Sequence, residues 1–426
     1  METMDRIKAL LNEAGVEEYS VCRTCERTAE LFFVKKELDT RRIKDVEKYF
    51  VTVYRTAEAE GRRMRAATNA AVLASMTDAE IVEALKGAYF AAQFAMNPYY
   101  ELPDPVAAPK IEKTGALAER EPEETAGEMA AALFAADNVE GAFVNSAEVF
   151  IVKKDLNIVS SNGANVSWTE AEAKGEYVVQ AKEPEDVEMY NSFAFDELET
   201  EALTKQVAEA LEFVRDRARA ERILKSGTYD LILTGKNAAE VLSFYLARSS
   251  APMIFPGYST WKPGDDVQGE TKGERLDVTL RATAPYSSEG IPMKDRKLIE
   301  NGFMKIAHGG NRFCRYLGTE PTGDYEKFSC DNAGTLPFEA MKETPCLWAV
   351  TFSDFQMDLF SGHFGGEIRL AYLIENGKAT PVTGGSVNGS ILEAEGDIAF
   401  STDRFTSAKY EGPYAIKLKG VSVAGE

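Results

Sequence analysis

The spacing of apolar residues predicts several amphipathic helices in the first half of the chain. Apolar side chains recur there every three or four positions, as on the buried face of a helix. Thr77 and Glu80 have the spacing of a capping box, which marks the beginning of one of these helices. The last helix is long enough to form a spine between the middle and final parts of the chain. The predicted helices cover residues 2–14, 77–95, 123–136 and 195–224.

Runs rich in β-branched and aromatic residues predict strands between and after these helices. A small antiparallel sheet is predicted from EEYSVCRTC, RTAELFFVKK, KYFVTVYRT and GRRMRAATNAAV. A hairpin and its continuation are predicted from AFVNSAEVFIVKKD and LNIVSSNGANVSW. Beyond Gly227 the pattern predicts a buried strand over Tyr229–Leu233 and a short helix over Ala238–Ala247, and strands and turns dominate from about Leu276.

The pentapeptide LIENG occurs twice, at Leu298–Gly302 and at Leu373–Gly377. Each copy ends one apolar run and is followed by another. Asn-Gly favours a two-residue type I′ turn, because both turn positions need positive φ. Both copies therefore predict tight β-hairpins, and their different flanking sequences argue against a wider duplication.

These elements together predict an α+β protein of three domains. The segment 97–119 contains four prolines and interrupts the pattern, which indicates a boundary there. We expect an N-terminal helix–sheet domain, a middle α/β segment that contains the spine helix, and a large β-rich C-terminal domain with hairpins. The predicted ranges are residues 1–110, 111–225 and 226–426.

Composition and charge indicate a globular protein and argue against membrane or nucleic-acid binding. The chain has 44% apolar and 27% charged residues, as globular proteins do. No run approaches the ~20 uncharged apolar residues of a membrane helix, and the N-terminus lacks the apolar block of a signal peptide. We therefore expect a cytoplasmic protein without membrane contact. The net charge of −21 argues against direct nucleic-acid binding, and five sparse cysteines fit reduced thiols.

Few residues are candidates for chemistry. The two histidines, His308 and His363, cannot form the paired helical motif of a zinc protease. Cys22 and Cys25 form a CxxC in a β-patterned run, where i and i+3 point to opposite faces, so redox or zinc use is disfavoured. No serine-hydrolase, P-loop or dinucleotide motif occurs. The acidic loop 265–270 lacks the spacing of a calcium loop.

The segment Ser361–Gly366 combines an aromatic residue and an imidazole with three glycines. Glycines permit close backbone approach, as in a cleft that admits a peptide strand. The same pattern also fits a bulge in a sheet. Both interpretations stay open on the sequence alone.

An ordered series of short motifs in the second half resembles the TldD/PmbA family. The resemblance covers roughly residues 120–426, and the N-terminal part matches it more loosely. The motifs in the middle region are VNSAEVFIVKKDLNIVSSNG and SGTYDLILTGKNAAEVL. Those that follow are SEGIP, KLIENG, RYLG, PTG, Gly362 with Phe364, LIENGK and the final VSVAG.

The resemblance implies a cytoplasmic protein that is usually dimeric or heterodimeric. In this family the TldD branch is a zinc peptidase whose metal is held by an HExxxH helix and a later cysteine. The PmbA branch, also called TldE, lacks that motif and partners the peptidase. The family is associated with the trimming of leader or unfolded peptides, and an older description is modulator of DNA gyrase.

The family's metal ligands are missing from the matching positions of this chain. The resemblance places the metal helix at about Ala238–Ala247, where Glu240 is the one acid and no histidine occurs. The later cysteine would fall within Phe405–Pro413, which contains none. At His363 the family more often has an aspartate. The chain therefore resembles the TldE side, with zinc expected in a TldD-like partner and none in this chain.

Three functions are compatible with these observations. The leading hypothesis is a non-zinc subunit that pairs with an HExxxH chain, or forms a homodimer, and helps to bind and process extended peptides. The first alternative is a stand-alone hydrolase that uses Glu289, His363 or an unrecognised metal. The second alternative is a non-catalytic peptide-binding or gyrase-modulating protein. We expect the peptide cleft to include Glu289, His363 and Phe364, and assign no catalytic, cofactor or metal residue.

Overall fold

The computed structural model describes residues 3–59 and 61–425 of the 426-residue chain. The first half contains five helices and seven strands within that range. The helices are α1 (Thr3–Glu13), α2 (Asp78–Ala92), α3 (Ala116–Glu119), α4 (Pro122–Ala135) and α5 (Thr200–Ala218). The strands are β1 (Glu18–Val34), β2 (Glu37–Ala59), β3 (Arg62–Leu73), β4 (Asn97–Pro98), β5 (Ala142–Ser160), β6 (Asn165–Ala181) and β7 (Val187–Phe195).

All seven strands form one antiparallel sheet in the order β4-β3-β2-β1-β5-β6-β7. At its centre, β1 pairs with β5 from Ser20 opposite Ser160 to Val34 opposite Ser146. This sheet runs across the boundary that the sequence predicts at residue 110. The division of the first 225 residues into two domains therefore stays a prediction, and backbone pairing joins the two segments.

The strands are fewer and longer than predicted. EEYSVCRTC and RTAELFFVKK belong largely to the single strand β1. AFVNSAEVFIVKKD continues through Ser160 as β5, and the rest of LNIVSSNGANVSW forms the turn and the beginning of β6. Only Glu26 separates the two predicted runs of β1. It is half-buried within a continuous strand, so it does not mark a turn.

The helices cover the sheet in two places. α1 and α2 pack over one end around Ile7, Leu11, Ile81 and Leu85, and α4 and α5 pack over the other end. The predicted capping box of α2 is present, with Thr77 and Glu80 each accepting from the other's backbone N–H. α5 begins five residues later and ends six residues earlier than the predicted helix, and Phe195 belongs to β7 beside β6.

The second half contains five α-helices, one 3₁₀ helix and fourteen strands within the described residues. The helices are α6 (Gly235–Arg248), α7 (Ala251–Ile254), α8 (Asn311–Leu317), α9 (Phe338–Met341), α10 (Ile391–Ala394) and the 3₁₀ turn Glu395–Asp397. The first strands are β8 (Gly227–Thr234), β9 (Val278–Arg281), β10 (Arg296–Glu300), β11 (Phe303–Met304), β12 (Lys327–Cys330), β13 (Cys346–Phe352) and β14 (Gln356–Met357). The others are β15 (His363–Glu375), β16 (Lys378–Val382), β17 (Ser386–Ser390), β18 (Ala399–Phe400), β19 (Arg404–Thr406), β20 (Tyr410–Pro413) and β21 (Ala415–Ala424).

These strands build a six-stranded sheet and an eight-stranded sheet. β8 lies inside the larger sheet, parallel to β13 and antiparallel to β21. The largest core of the chain joins both sheets to α6, and includes Leu233, Val241 and Phe244. The predicted α+β class with a β-rich C-terminal part is confirmed. In residues 3–59 and 61–425, no helix combines the length and apolarity needed to cross a membrane.

Both LIENG copies are tight hairpins, as predicted. Glu300 pairs with Phe303 and Glu375 pairs with Lys378. The turn residues have the positive φ values of a type I′ turn, 50° and 77° at Asn301-Gly302 and 52° and 75° at Asn376-Gly377. Their surroundings differ. The Arg275 guanidinium covers the first turn and donates to the Asn301 carbonyl at 2.8 Å, whereas nothing lies within 4 Å of a Cβ added at Gly377.

This difference predicts unequal costs for the same substitution. Gly377→Ala should lower the free energy of unfolding by about 1–2 kcal/mol, because alanine is strained at positive φ. Gly302→Ala adds a clash with Arg275 and should cost about 1 kcal/mol more through the weakened hydrogen bonds. Urea unfolding of the two variants checks this. Equal losses would show that Arg275 does not hold the first turn.

Candidate functional site

A cavity of about 660 Å³ lies between the first sheet and the C-terminal part of the chain. The β6–β7 end of the sheet and α5 form one wall. The beginning of α6 and the segment 405–410 form the opposite wall. Most of the lining is apolar or aromatic, and includes Tyr177, Met189, Phe193, Phe213, Phe405 and Tyr414. Concave sites of this kind commonly bind ligands.

The turn from β8 into α6 positions one wall of this cavity. Gly235 has φ 53°, and its N–H donates to the Tyr414 carbonyl at 2.7 Å. The Thr234 hydroxyl accepts from the Trp348 indole N–H at 3.1 Å. The strand and helix are therefore tied to neighbours on both sides. Since residues four apart share a helix face, Lys236 and Glu240 both line the cavity.

The cavity walls shift the pKa values of these two side chains. Both residues are exposed and line the cavity. Desolvation lowers the pKa of the Lys236 ammonium. Burial raises the pKa of the Glu240 carboxyl, and Lys409 across the cavity partly opposes that shift. The lysine is the more unusual group, because neither an ion pair nor a hydrogen bond of its ammonium is found in residues 3–59 and 61–425.

The segment 405–413 forms the facing part of the wall. Phe405, Ser407, Lys409 and Tyr410 line the cavity. The Tyr410 hydroxyl donates to the Pro413 carbonyl at 3.1 Å, and burial raises its pKa. The two segments in which the resemblance places metal ligands, α6 and residues 405–413, thus line the same cavity although they are far apart in sequence.

The groups at this position do not fit zinc. Structural and catalytic zinc sites use imidazole, thiolate and carboxylate ligands, three or four together. α6 contributes one carboxylate, Glu240, and the facing segment contributes hydroxyls and the ammonium of Lys409. No group of three or more potential metal-ligating His, Cys, Asp or Glu side chains occurs among the described residues.

A second cavity of about 530 Å³ adjoins the first. Lys236, Asn237 and Glu240 line both cavities, so the two form a continuous cleft. Here the walls are more polar and include Arg217 and Arg369. The pKa of the Arg217 guanidinium is lowered, first by desolvation and then by the nearby charge of Arg369.

The three residues predicted for a peptide cleft lie apart from this site, because none of them lines either cavity. Glu289 accepts from the Asn311 N–H at 2.7 Å, at the beginning of α8, and burial raises its pKa. His363 is exposed, with Nδ1 3.0 Å from the Ser361 hydroxyl. Phe364 is 2% exposed and packs in the core. Their role in peptide binding stays a prediction.

The glycine-flanked segment around His363 is part of a regular sheet. Gly365 and Gly366 lie in β15, which pairs with β17 on one side. A Cβ at Gly366 would lie 2.9 Å from the Phe355 Cα. The close approach that these glycines permit is therefore to the protein's own backbone. His308 is buried, with Nε2 2.8 Å from the Leu246 carbonyl at the end of α6.

Sequence reasoning missed the cationic residues of the cleft. Lys236 lies in a motif that the resemblance includes, but a lysine next to a strand end is ordinary in sequence. Arg217 and Arg369 are separated by 152 positions, and only the packing of α5 against β15 brings them together. No local pattern could reveal that arrangement.

The fold is similar to that of several proteins of known structure. Three crystal structures align over 99–100% of this chain at 16% identity. They are TldE from Thermococcus kodakarensis, with a TM-score of 0.76, and candidate modulators of DNA gyrase from Thermotoga maritima and Bacteroides thetaiotaomicron, with TM-scores of 0.77 and 0.76. The chain therefore has the fold of these proteins.

The sequence comparisons identify the family. Residues 226–425 match the PmbA/TldA metallopeptidase C-terminal domain. The metalloprotease TldD homolog of Buchnera aphidicola subsp. Acyrthosiphon pisum is 32% identical over 143 residues, which span 29% of each chain. Residues 226–425 are thus a C-terminal domain of the TldD/PmbA family, as the motif series predicts, and these matches relate the chain to TldD/TldE-type metallopeptidases.

A buried acid behind the cavity has a separate consequence for stability. Glu395 is 6% exposed and accepts a hydrogen bond from the Tyr245 hydroxyl at the far end of α6. Burial raises the pKa of Glu395 from 4.5 to about 7. The pKa of Glu395 is thus higher in the folded than in the unfolded protein. Its contribution to folding stability is therefore fully present below pH 4.5 and is lost as the pH rises through 7.

Glu395→Gln should remove this pH dependence. Glutamine can still accept from Tyr245 and carries no charge to bury. The free energy of unfolding of the variant, relative to that of the unsubstituted protein, should therefore rise by about 2 kcal/mol between about pH 5.5 and about pH 8.5. Urea unfolding of both proteins at the two pH values measures the difference. A constant offset would mean that Glu395 titrates normally in the folded state.

Proposed function

We propose that this chain is a non-zinc subunit of a TldD/TldE-type metallopeptidase, and that it binds extended peptides in the cleft between the first sheet and α6. One observation carries the proposal. The two segments that would hold the metal in a TldD-like relative line one cavity here, and they offer an amine, hydroxyls, aromatic rings and a single carboxylate. This chain has a cavity at this place but lacks the ligand set that the resemblance implies for a TldD-like relative.

The lining of the cavity suits a peptide. Its aromatic and aliphatic walls can contact apolar side chains, while Asn237, Ser243 and Ser407 supply polar contacts along the edge. The Asn237 side chain already donates to the Val350 carbonyl at 2.8 Å, which holds the beginning of α6 against β13. Within this proposal, the zinc and the activated water belong to an HExxxH partner, and this chain positions the substrate.

Reconstitution with an HExxxH homologue tests whether the partner supplies the zinc and this chain binds the substrate. We expect the two chains to co-purify, with one zinc per pair, and peptide cleavage that needs both chains and is abolished by a chelator. Glu240→Gln should leave the zinc content of the pair unchanged, because this chain supplies no metal ligand. Zinc-dependent cleavage by the chain alone would contradict the proposal and favour a stand-alone hydrolase.

Filling the cavity tests the proposed place of binding. Ala239 lines the cavity on α6, so Ala239→Trp should occupy the space and lower peptide processing by the pair by about 10-fold or more, a loss of about 1.4 kcal/mol in binding. The matched control is Ala131→Trp, on the exposed face of α4. Both variants should keep the zinc content of the pair. Equal activity of the two variants would place the substrate elsewhere.

A further inference from the structure

The smaller cavity gathers positive charge in a strongly acidic protein. The chain carries a net charge of −21, yet three cationic side chains from three different elements line this cavity. Arg217 comes from α5, Lys236 from α6 and Arg369 from β15. The beginning of α6, a helix of 14 residues, lies at the same place and adds a positive dipole end.

These cations are only partly neutralised by the protein. The Arg369 guanidinium pairs with Glu367 at 3.2 Å. Arg217 donates to the backbone carbonyl of Glu188, and the Glu188 carboxylate accepts from Asn145 at 2.9 Å. Lys236 has no acceptor in the described part of the chain. Cations that face each other without full pairing leave room for an external anion.

The acidic residues of this cavity favour a small monoanion over a doubly charged anion. Glu188 and Glu240 line the same cavity and would repel a doubly charged phosphate. Met189, Tyr190, Phe352 and Phe355 complete the wall, and the larger apolar cavity lies directly beside it. A ligand that fits both parts has one carboxylate next to apolar groups. A peptide with apolar residues beside an acidic group has this chemistry.

We propose that Lys236, Arg217 and Arg369 form a carboxylate-binding subsite that selects peptides by an acidic group beside apolar residues. The inference rests on the proposed function and specifies the substrate class of the same cleft. The carboxylate can come from the C-terminus of the peptide or from an aspartate or glutamate side chain. Guanidinium groups suit either source, because they bind carboxylates through two parallel hydrogen bonds.

Three versions of one apolar, fluorescently labelled octapeptide distinguish the two sources. The first has a free C-terminal carboxylate, the second has a C-terminal amide, and the third is the amide with one internal aspartate. Fluorescence anisotropy with the full chain measures their affinities. We expect one of the acidic peptides to bind about 10-fold or more tightly than the neutral amide, as a charge-assisted contact does, and the preferred acidic peptide identifies the source.

Substitutions in the chain connect this preference to the subsite. Lys236→Met should remove about 10-fold or more of the affinity for the acidic peptide and change the affinity for the neutral amide by less than about twofold. Arg369→Met should act in the same direction. The matched control is Lys378→Met, which removes the same charge from the exposed second LIENG hairpin and should change neither affinity.

Lys236→Met also has an expected effect on stability that separates binding from folding. An ammonium with a pKa lowered by desolvation is destabilising when charged, so its removal should not lower the midpoint of thermal unfolding. Loss of acidic-peptide binding in a variant of unchanged or higher stability supports the subsite. Binding that is equal for acidic and neutral peptides overturns it, and leaves the proposed function in place.

A one-residue probe keeps the two proposals distinguishable if no octapeptide binds. N-acetyl-leucine carries the carboxylate and N-acetyl-leucinamide does not, and neither needs the rest of a peptide-binding cleft. With reductively ¹³C-methylated lysines, the acid should shift the Lys236 signal, which is assigned by its absence in Lys236→Arg, and the amide should not. A shift without octapeptide binding supports the subsite and contradicts the proposed function. No shift and no binding contradict both.

Discussion

The position of β8 within the larger sheet is the constraint on which the site depends. β13 pairs with one edge of β8 and β21 with the other, so neither end of the strand can move without breaking backbone hydrogen bonds. The strand ends at Thr234, and α6 begins at the next residue through a glycine with positive φ. Everything that α6 presents to the cleft is therefore oriented by the sheet.

The opposite wall depends on the first sheet in a similar way. β6 pairs with β5 along its whole length and with β7 from Ala173 to Ala181, and α5 packs over them in the same core. Two hydrogen bonds join α5 to the C-terminal part, from Tyr372 to Asp216 at 2.6 Å and from Tyr414 to Glu209 at 3.0 Å. The cleft thus lies between two hydrogen-bonded layers, which suits a site that holds an extended chain in one register.

Local patterns could predict much of the fold and part of the site. The capping box at Thr77 and the two Asn-Gly turns are short-range features, because their geometry is set by residues next to each other. The lack of histidine and cysteine in α6 and in residues 405–413 is a property of the sequence itself. Strand lengths were predicted less well, because β1 continues through polar residues that only its neighbours β2 and β5 stabilise. The meeting of Arg217, Lys236 and Arg369 is a result of tertiary packing, which no spacing rule contains.

The decisive measurement is a crystal structure of the full chain, exposed to zinc and to an apolar peptide with a free carboxylate. We expect peptide density between α6 and residues 405–413, with the carboxylate against Lys236 and no metal ion beside Glu240. Peptide bound around His363 or Glu289, or a zinc ion coordinated within the cleft, would contradict this expectation.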